Sequence, residues 1–471
     1  MQYYSLQKQS PNVDFRTAAI TGQAPDKGLY FPTEIPKFTA AQIERFKTLD
    51  KVSLAFEVMR PYVGGTIDDA TLKIICAETI NFHFPLVPIT DTISSLELFH
   101  GPTLAFKDVG ARFMSRCLGY FSKQARAENA TANDHKSQED KTQGEKPNTV
   151  LVATSGDTGG AVANGFLGVT GVNVIILYPK GKVSPIQELQ LTTLGQNITA
   201  LEVDGSFDDC QAIVKEAFMD GELNAAYNLT SANSINVARW LPQQLYYFFA
   251  WQQWVAKYQD SDGIYPPMNI VVPSGNFGNI CAGMIAKESG LPLGHFVAAC
   301  NANDVVTRYM ATEKYQVKPS VVTVSNAMDV GNPSNFVRIL EIMQNNFSTL
   351  SNALTSYSIT DTDTKATIAR VYKTNNYILD PHGAVAFIAA EQFLLEQQVN
   401  NNTISTTDDA FNAGAIILET AHPVKFPEVV EEAIGQSLPI PASVQNLFEK
   451  EKVSIPLAPN YTAFKNWMLK K

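Results

Sequence analysis

Short runs of branched apolar residues alternate with amphipathic segments through the middle of the chain. The runs at 149–153, 172–177 and 198–203 are each followed by a stretch with apolar residues at helical spacing. In the last of these stretches one helical face carries Phe207, Cys210, Ile213, Val214, Ala217 and Phe218. Continuously apolar strands are buried on both faces, which is typical of a parallel sheet covered by helices.

The same alternation resumes further along the chain. An aromatic-rich stretch at 236–258 is predicted to be one long helix, and strands are expected at 269–272, 295–300 and 415–418. A helix is expected at 280–287, directly after the first of these strands. The pattern therefore predicts an α/β protein with two parallel-sheet lobes that carry helices on both faces.

The chain is expected to divide into three parts. An N-terminal, mainly helical domain is predicted at 1–92, a smaller α/β lobe at 93–235 and a larger α/β lobe at 236–471. Within the smaller lobe, residues 122–148 include almost no large apolar side chains. Such a segment buries too little surface to offset the cost of ordering it, so a solvated insertion is predicted there.

Composition narrows the class of protein. The 471 residues are 45% hydrophobic and 17% charged, as in a globular protein with a large core. The net charge of −10 disfavours nucleic acid and anionic membranes as partners, because both require basic patches. Five widely spaced cysteines without a CxxC pair argue against a disulfide scaffold and favour a reducing compartment. With neither a signal-peptide pattern nor a run of 18 apolar residues, a cytoplasmic protein is expected.

Two glycine-rich turns, at 155–160 and 274–279, each follow a predicted strand and precede a predicted helix. Backbone N–H groups at such a turn, with the positive end of the helix dipole, form an anion site. Neither turn matches the nucleoside-triphosphate or dinucleotide fingerprint, which weakens kinase, ATPase and dehydrogenase interpretations. Each turn alone could be only a capped connection, but two at the carboxyl ends of parallel strands favour a bound anion.

Lys107 stands in an apolar neighbourhood, after Leu104, Ala105 and Phe106 and before Val109. One interpretation is a surface lysine whose stem lies along an apolar helix face. The other is a desolvated amine, whose pKa falls because burial disfavours the ammonium form. A neutral amine can form a Schiff base with an aldehyde cofactor. The residues around Lys107 leave both interpretations open.

Other catalytic patterns are weak. The six histidines show no HExxH or clustered spacing, so no metal site is expected. Ser155 lies in the sequence SGD and not in GxSxG, which disfavours a hydrolase nucleophile elbow.

Eight segments, taken in order, resemble the threonine synthase family, whose members are pyridoxal 5′-phosphate (PLP) enzymes of the tryptophan-synthase-β fold type. The segments are KGLYFP (27–32), ELFHGPTLAFKD (97–108), ATSGDTGGAV (153–162), ILYPKGKVSPIQE (176–188), SANSIN (231–236), PSGNFGN (273–279), SNAMDVGNPSN (325–335) and TAHPVKF (420–426). Each is moderately specific, whereas their order over nearly the whole chain is very specific. The longer microbial and fungal form of the family is the most similar.

The resemblance implies roles for individual residues. It implies that Lys107 is the Schiff-base lysine and that Thr420 lies near the pyridine nitrogen of the cofactor. The implied cofactor phosphate loop consists of Gly275, Asn276, Phe277, Gly278 and Asn279. The residues implied to face the substrate amino acid are Ser155, Asp157 and Thr158, and the weaker candidates for its phosphate are Lys180, Asn236 and Arg239. Relatives often have Asp where this chain has Asn279, which is a departure from the family pattern.

The resemblance also implies a fold type II PLP enzyme that acts on a small molecule. The implied reaction converts O-phospho-L-homoserine and water into L-threonine and phosphate, and a monomer is expected rather than an oligomer. One alternative is a phospholyase of the same fold that releases a keto acid. A second is a non-catalytic anion-binding relative, against which the intact Lys107 argues.

Overall fold

The computed structural model describes residues 1–133, 148–402 and 414–470. Strands β1 to β14 are, in chain order, Gln2–Ser5, Val13–Asp14, Tyr30–Pro32, Leu86–Pro88, Ile93–Glu97, Asn148–Ala153, Val172–Pro179, Ile198–Val203, Asn228–Ser231, Asn269–Pro273, Phe296–Cys300, Leu354–Ser358, Ala415–Glu419 and Ile455–Leu457. Helices α1 to α20 are Phe15–Thr21, Ala40–Phe46, Lys51–Val63, Asp69–Thr79, Lys107–Asn133, Asp157–Phe166, Pro185–Thr192, Phe207–Met219, Gly221–Ala226, Val237–Trp240, Leu245–Tyr258, Gly278–Glu288, Val305–Thr312, Phe336–Ile342, Phe347–Ala353, Asp361–Asn375, Pro381–Asn402, Pro427–Ile434, Ala442–Gln445 and Tyr461–Lys470.

Two large sheets organise the described residues. The smaller sheet has the order β14-β8-β7-β6-β9 and is parallel throughout. The larger has the order β12-β11-β10-β13-β5-β4 and is parallel except at its β4 edge. Strand β10 is buried along its whole length, as expected for a strand covered on both faces. The predicted α/β class with parallel sheets is confirmed.

The N-terminal region contains helices α1 to α4, as its mainly helical pattern predicts. It also contains a three-stranded antiparallel sheet, β2-β1-β3, which was not predicted. These strands are two to four residues long, so they show too little alternation to be recognised from the sequence.

Two sequence-based boundaries differ from the structure. The single helix predicted at 236–258 is divided into α10 and α11 by a 3-10 turn at Leu241–Gln244, where Pro242 lacks the N–H that a continuous α-helix needs. The polar segment at 122–148 begins inside helix α5 and ends in strand β6, while residues 134–147 lie outside the described residues. Low hydrophobicity does not distinguish a solvated helix from a loop, so the composition could not separate the two.

Two strands lie in a different sheet from the one that the predicted domain boundaries would give them. Strand β5 follows residue 92 but pairs with β13 in the larger sheet. Strand β14, near the end of the chain, pairs with β8 in the smaller sheet. The three-part division of the chain stays a prediction.

Candidate active site

Three loops meet where strands of the larger sheet end. Strands β10 and β13 are parallel neighbours with Ile270 opposite Ile416, and that register continued places Ser274 opposite Thr420. Ala421 in turn forms an antiparallel bridge with Ala105. The bridge is fixed by Phe106 N–H, which donates to the Thr420 carbonyl over 2.9 Å. Lys107 therefore begins helix α5 directly beside Thr420 and one strand away from the 274–279 loop.

The side chain of Lys107 is mostly buried, with 16% of its surface exposed. Burial lowers the pKa of its amine, and the positive charges of Lys425 and Arg239 lower it further, while Asp157 raises it. The amine lies 4.0 Å from Asp157 Oδ2 and 5.6 Å from the ring centre of Phe106. Of the two interpretations of this lysine, the structure fits the desolvated amine.

Asp157, the first residue of helix α6, lies close to two lysines. Its Oδ1 lies 2.6 Å from the amine of Lys425, which is fully buried and also donates to the Thr103 carbonyl over 2.8 Å. Burial alone would raise the pKa of Asp157, but the charges of Lys425 and Lys107 hold it well below its usual range. Asp157 is therefore an anion held beside two amines, of which Lys425 is the nearer, and its charge acts on Lys107 as well.

Lys425 was not predicted from the sequence as a site residue. It lies in the TAHPVKF segment, five residues after Thr420, and nothing in the local pattern distinguishes it from a surface lysine. Lys425 and Asp157 are 268 positions apart in the chain, and only the fold brings the two charges together.

The loop between β10 and α12 has the features of an anion cradle. Phe277 adopts a left-handed conformation (φ 59°) that turns the chain into α12, and no side chain caps that helix. Among the described residues no acceptor is paired with the backbone N–H groups of 275–279. Asn279 Nδ2 is likewise buried without an acceptor, although its Oδ1 accepts from Tyr247 over 2.6 Å. The loop therefore presents unused donors at a helix N-terminus, which fits a bound phosphate.

Gly275 is required for the shape of this loop. A Cβ at that position would lie 2.6 Å from Met328 Cα, closer than unstrained side chains approach. Asn276 fixes the other side, because its Oδ1 accepts from the backbone N–H and the hydroxyl of Ser334, both over 3.0 Å. The side-chain oxygen of Asn276 is thus occupied within the protein, and this contact fixes the position of the residue in the loop.

The loop after β6 faces the same region from the smaller sheet. Gly156 has φ 134°, which only glycine adopts readily, and the N–H groups of Gly156 and Gly159 both donate to Thr154 Oγ1. Ser155 and Thr158 are partly exposed, whereas Asp157 between them is buried. The two hydroxyls are therefore accessible to a ligand beside the Asp157–Lys425 pair.

The three candidates for substrate phosphate occupy different environments. Arg239 is 3% exposed, and its Nε and Nη1 are buried without an acceptor among the described residues. Burial lowers the pKa of Arg239 to about 10, so the guanidinium stays charged at neutral pH. Asn236 is also buried, but its amide caps α10 and donates to the carbonyls of Ala19 and Ser231. Lys180 is exposed in the turn after β7.

No group of three or more His, Cys, Asp or Glu side chains in residues 1–133, 148–402 and 414–470 is placed to hold a metal ion. No helix in the same ranges is long and apolar enough to cross a membrane.

Comparison with known proteins gives full-length matches. Three family models match this chain: "Pyridoxal-phosphate dependent enzyme" at residues 95–407, "Threonine synthase N terminus" at 2–80 and "Threonine synthase, C-terminal" at 384–468. The chain is 38% identical to threonine synthase of Serratia marcescens over 469 residues, covering 100% of this chain and 99% of the relative. It is 36% identical to the yeast Saccharomyces cerevisiae threonine synthase, with 92% of this chain and 89% of the relative covered.

Solved structures give the same result. The chain is similar to the crystal structure of threonine synthase from Escherichia coli, with a TM-score of 0.85, 36% identity and all of both chains covered. It is similar to PLP-bound threonine synthase from Brucella melitensis, with a TM-score of 0.85, 33% identity and 99% and 98% of the two chains covered.

Proposed function

The chain belongs to the threonine synthase family of PLP-dependent enzymes, and from that premise we propose how its own residues carry the reaction. The activity is the conversion of O-phospho-L-homoserine and water into L-threonine and phosphate. The observation that supports the residue assignments is the position of Lys107, a buried amine one strand away from a loop of unused backbone donors.

Three groups in the site fit the cofactor. We assign the amine of Lys107 to the aldehyde, the backbone N–H groups of 275–279 to the phosphate and the Thr420 hydroxyl to the pyridine nitrogen. A hydroxyl at that nitrogen, unlike a carboxylate, leaves it largely unprotonated. The phosphate assignment is supported by the unused donors and by the orphan amide of Asn279. Charge-assisted hydrogen bonds contribute about 1.5–3 kcal/mol each, so a short loop suffices to hold the group. When bound, PLP supplies an electron sink that allows protons to leave the carbons near the substrate amino group.

Lys107 is the proposed general base. Its free amine would be placed to remove the proton from Cα of the bound substrate, which requires the amine to be neutral. The reference pKa of lysine lies about 3 units above neutrality, so a neutral amine at pH 7 requires about 4 kcal/mol of environmental bias. Burial and the charges of Lys425 and Arg239 all act in that direction.

Lys425 is proposed to tune this base by neutralising Asp157. A carboxylate 4.0 Å from Lys107 would otherwise stabilise the ammonium form. The Lys425 amine is closer to that carboxylate, at 2.6 Å, and its own positive charge lowers the pKa of Lys107. We propose that Asp157 orients both amines, and that Ser155 and Thr158 on either side bind the substrate amino acid.

Arg239 is proposed as the main ligand for the phosphate of the substrate. Its Nε and Nη1 are buried and have no acceptor among the described residues, and unpaired polar groups in an interior carry a free-energy penalty that a phosphate would remove. Its charge is also close enough to affect Lys107. Asn236 is proposed to hold the helix that carries Arg239, and Lys180 to attract anions at the protein surface.

Replacement of Lys107 by Ala tests the assignment. The variant is expected to lose the visible absorbance of the bound cofactor and all turnover, because no amine remains to join the aldehyde or remove the Cα proton. Absorbance spectra and phosphate release from O-phosphohomoserine provide the measurements, and Lys452→Met is a control at an exposed lysine. An unchanged spectrum would refute the role of Lys107.

Product analysis separates the synthase from a phospholyase, since L-threonine and a keto acid are distinguished by chromatography. Threonine is the expected product, in agreement with the full-length similarity to threonine synthases. The expected monomer is checked by light scattering, and the cytoplasmic location and the absence of nucleic-acid partners remain predictions.

A further inference from the structure

His382 is a buried histidine that none of the assignments above uses. It is the second residue of helix α17 and is 2% exposed. Its Nδ1 lies 2.6 Å from Asp380 Oδ2, and its Nε2 lies 3.2 Å from the backbone nitrogen of Ala327. Because a backbone amide can only donate, Nε2 must accept, and the ring proton resides on Nδ1, facing Asp380.

Ala327 belongs to the turn that forms the wall behind the 275–279 loop. This turn, Asn326–Met328, brings Met328 against Gly275 so closely that a Cβ on the glycine would lie 2.6 Å from Met328 Cα and 3.2 Å from its carbonyl carbon. No free space separates the two backbones, so a displacement of the turn displaces the loop.

Asp380 is fixed at its other contacts. Its Oδ1 accepts from the Gly383 N–H and its own N–H donates to Glu419 Oε1, both over 2.6 Å. Glu419 is fully buried and immediately precedes Thr420. A continuous set of contacts thus runs from the residue before Thr420, through Asp380 and His382, to the wall of the loop.

We propose that His382, oriented by Asp380, is a positioning residue that holds the Asn326–Met328 turn against the 275–279 loop and so keeps that loop shaped for the cofactor phosphate. The inference rests on the proposed assignment of 275–279 as the phosphate loop. His382 acts through the N–H of Ala327, and the feature that matters is an acceptor at the position of Nε2.

Two substitutions at His382 distinguish the roles of its two ring nitrogens. The longer amide of His382→Gln reaches the place of Nε2 and can accept from Ala327, whereas the shorter amide of His382→Asn reaches only the place of Nδ1. We expect the PLP dissociation constant of the full-length apoprotein to rise about tenfold or more in His382→Asn, as loss of one hydrogen bond predicts. We expect it to stay within about threefold of wild type in His382→Gln.

Two reference variants and one further measurement complete the experiment. His295→Asn removes a partly buried ring that bonds Thr355 and should leave PLP affinity unchanged. Gly275→Asp places a carboxylate in the proposed loop and should weaken affinity strongly. Melting of each apoprotein shows whether any affinity loss simply follows instability.

The outcomes are distinguishable. Wild-type affinity in His382→Asn, equal losses in both His382 variants, or a loss that parallels the melting temperature would overturn the positioning role. Wild-type affinity in Gly275→Asp would instead overturn the phosphate-loop assignment. Weak binding in His382→Asn and Gly275→Asp, with near-normal binding in His382→Gln and comparable apoprotein melting, would support both.

Discussion

At the scale of single residues, two lysines lie beside one carboxylate in the proposed site. Lys425 lies 2.6 Å from Asp157, and Lys107 lies 4.0 Å from the other oxygen of the same group. Burial lowers the pKa of the farther lysine, while the carboxylate acts in the opposite direction. We propose that Lys425, by competing for this anion, limits its effect on the pKa of Lys107.

The prediction at this scale concerns Lys425→Met. Removing its charge leaves Asp157 to pair with Lys107, so the pKa of Lys107 rises and its neutral fraction at a given pH falls. The rate at which the apoprotein captures PLP depends on that neutral fraction. The pH range over which this rate increases should therefore move to higher pH. Stopped-flow absorbance at several pH values provides the measurement.

Lys452→Met is the matched control for this substitution, because Lys452 forms an exposed pair with Glu188 and should leave the pH dependence of capture unchanged. Breaking the buried Lys425–Asp157 pair is also expected to destabilise the fold by about 3–5 kcal/mol, measured by urea unfolding. A pH dependence of capture identical to wild type would contradict the proposed sharing of Asp157.

At the scale of elements, helix starts bring the site residues into place. Lys107, Asp157 and Gly278 each begin a helix directly after a strand or a bridge, so their positions follow from where the strands end. Helix α17 packs against strand β13, so closely that a Cβ on Gly383 would overlap Glu419 Oε2. Glycine at that point allows the helix to approach the strand that leads to Thr420.

The element-scale prediction is that Gly383→Ala separates these two elements. The added methyl must displace either the helix or the Glu419 carboxyl, and such overpacking typically costs about 1–3 kcal/mol of unfolding free energy. Urea unfolding measures the loss. Gly221→Ala, where an added Cβ meets nothing within 4 Å, is the control and should change stability little. Equal stability of the two variants would show that the helix can yield at this point.

At the scale of the whole molecule, one buried arginine joins the regions of the chain. The guanidinium of Arg338 is fully buried and donates to the carbonyls of Tyr30, Ser234 and Ile235 and to the side chain of Asn335. It also lies 4.2 Å from the ring centre of Trp240. These contacts connect the N-terminal sheet, the segment after β9 and the start of helix α14.

We predict that Arg338→Lys destabilises the whole molecule although it keeps the charge. An ammonium has three donors and no planar fork, so several of these carbonyls lose their partner, at a cost of about 2 kcal/mol or more. The unfolding free energy in urea measures the effect. Arg370→Lys is the control, because its pair with Glu391 is exposed and such pairs contribute about 1 kcal/mol or less. Similar losses in the two variants would contradict a connecting role for Arg338.

The sequence by itself determined the local parts. Runs such as 149–153 and 269–272 were predicted as strands and are strands, because β-branched apolar runs bounded by glycine-rich turns leave few alternatives. The order of the motifs also identified the family and the cofactor, which the full-length comparisons confirm. These are properties of neighbouring residues or of their order, and both can be read along the chain.

Only the tertiary structure decided how distant residues meet. Three features of the fold depend on residues far apart in the chain. They are the pairing of Lys425 with Asp157, the burial of Arg239 while Lys180 stays exposed, and the exchange of β5 and β14 between sheets. Local periodicity specifies which face of an element is apolar, but not which other element covers it. Since the pKa of a buried amine depends on charges brought near it by folding, the electrostatics of the site could not be derived from the order of residues alone.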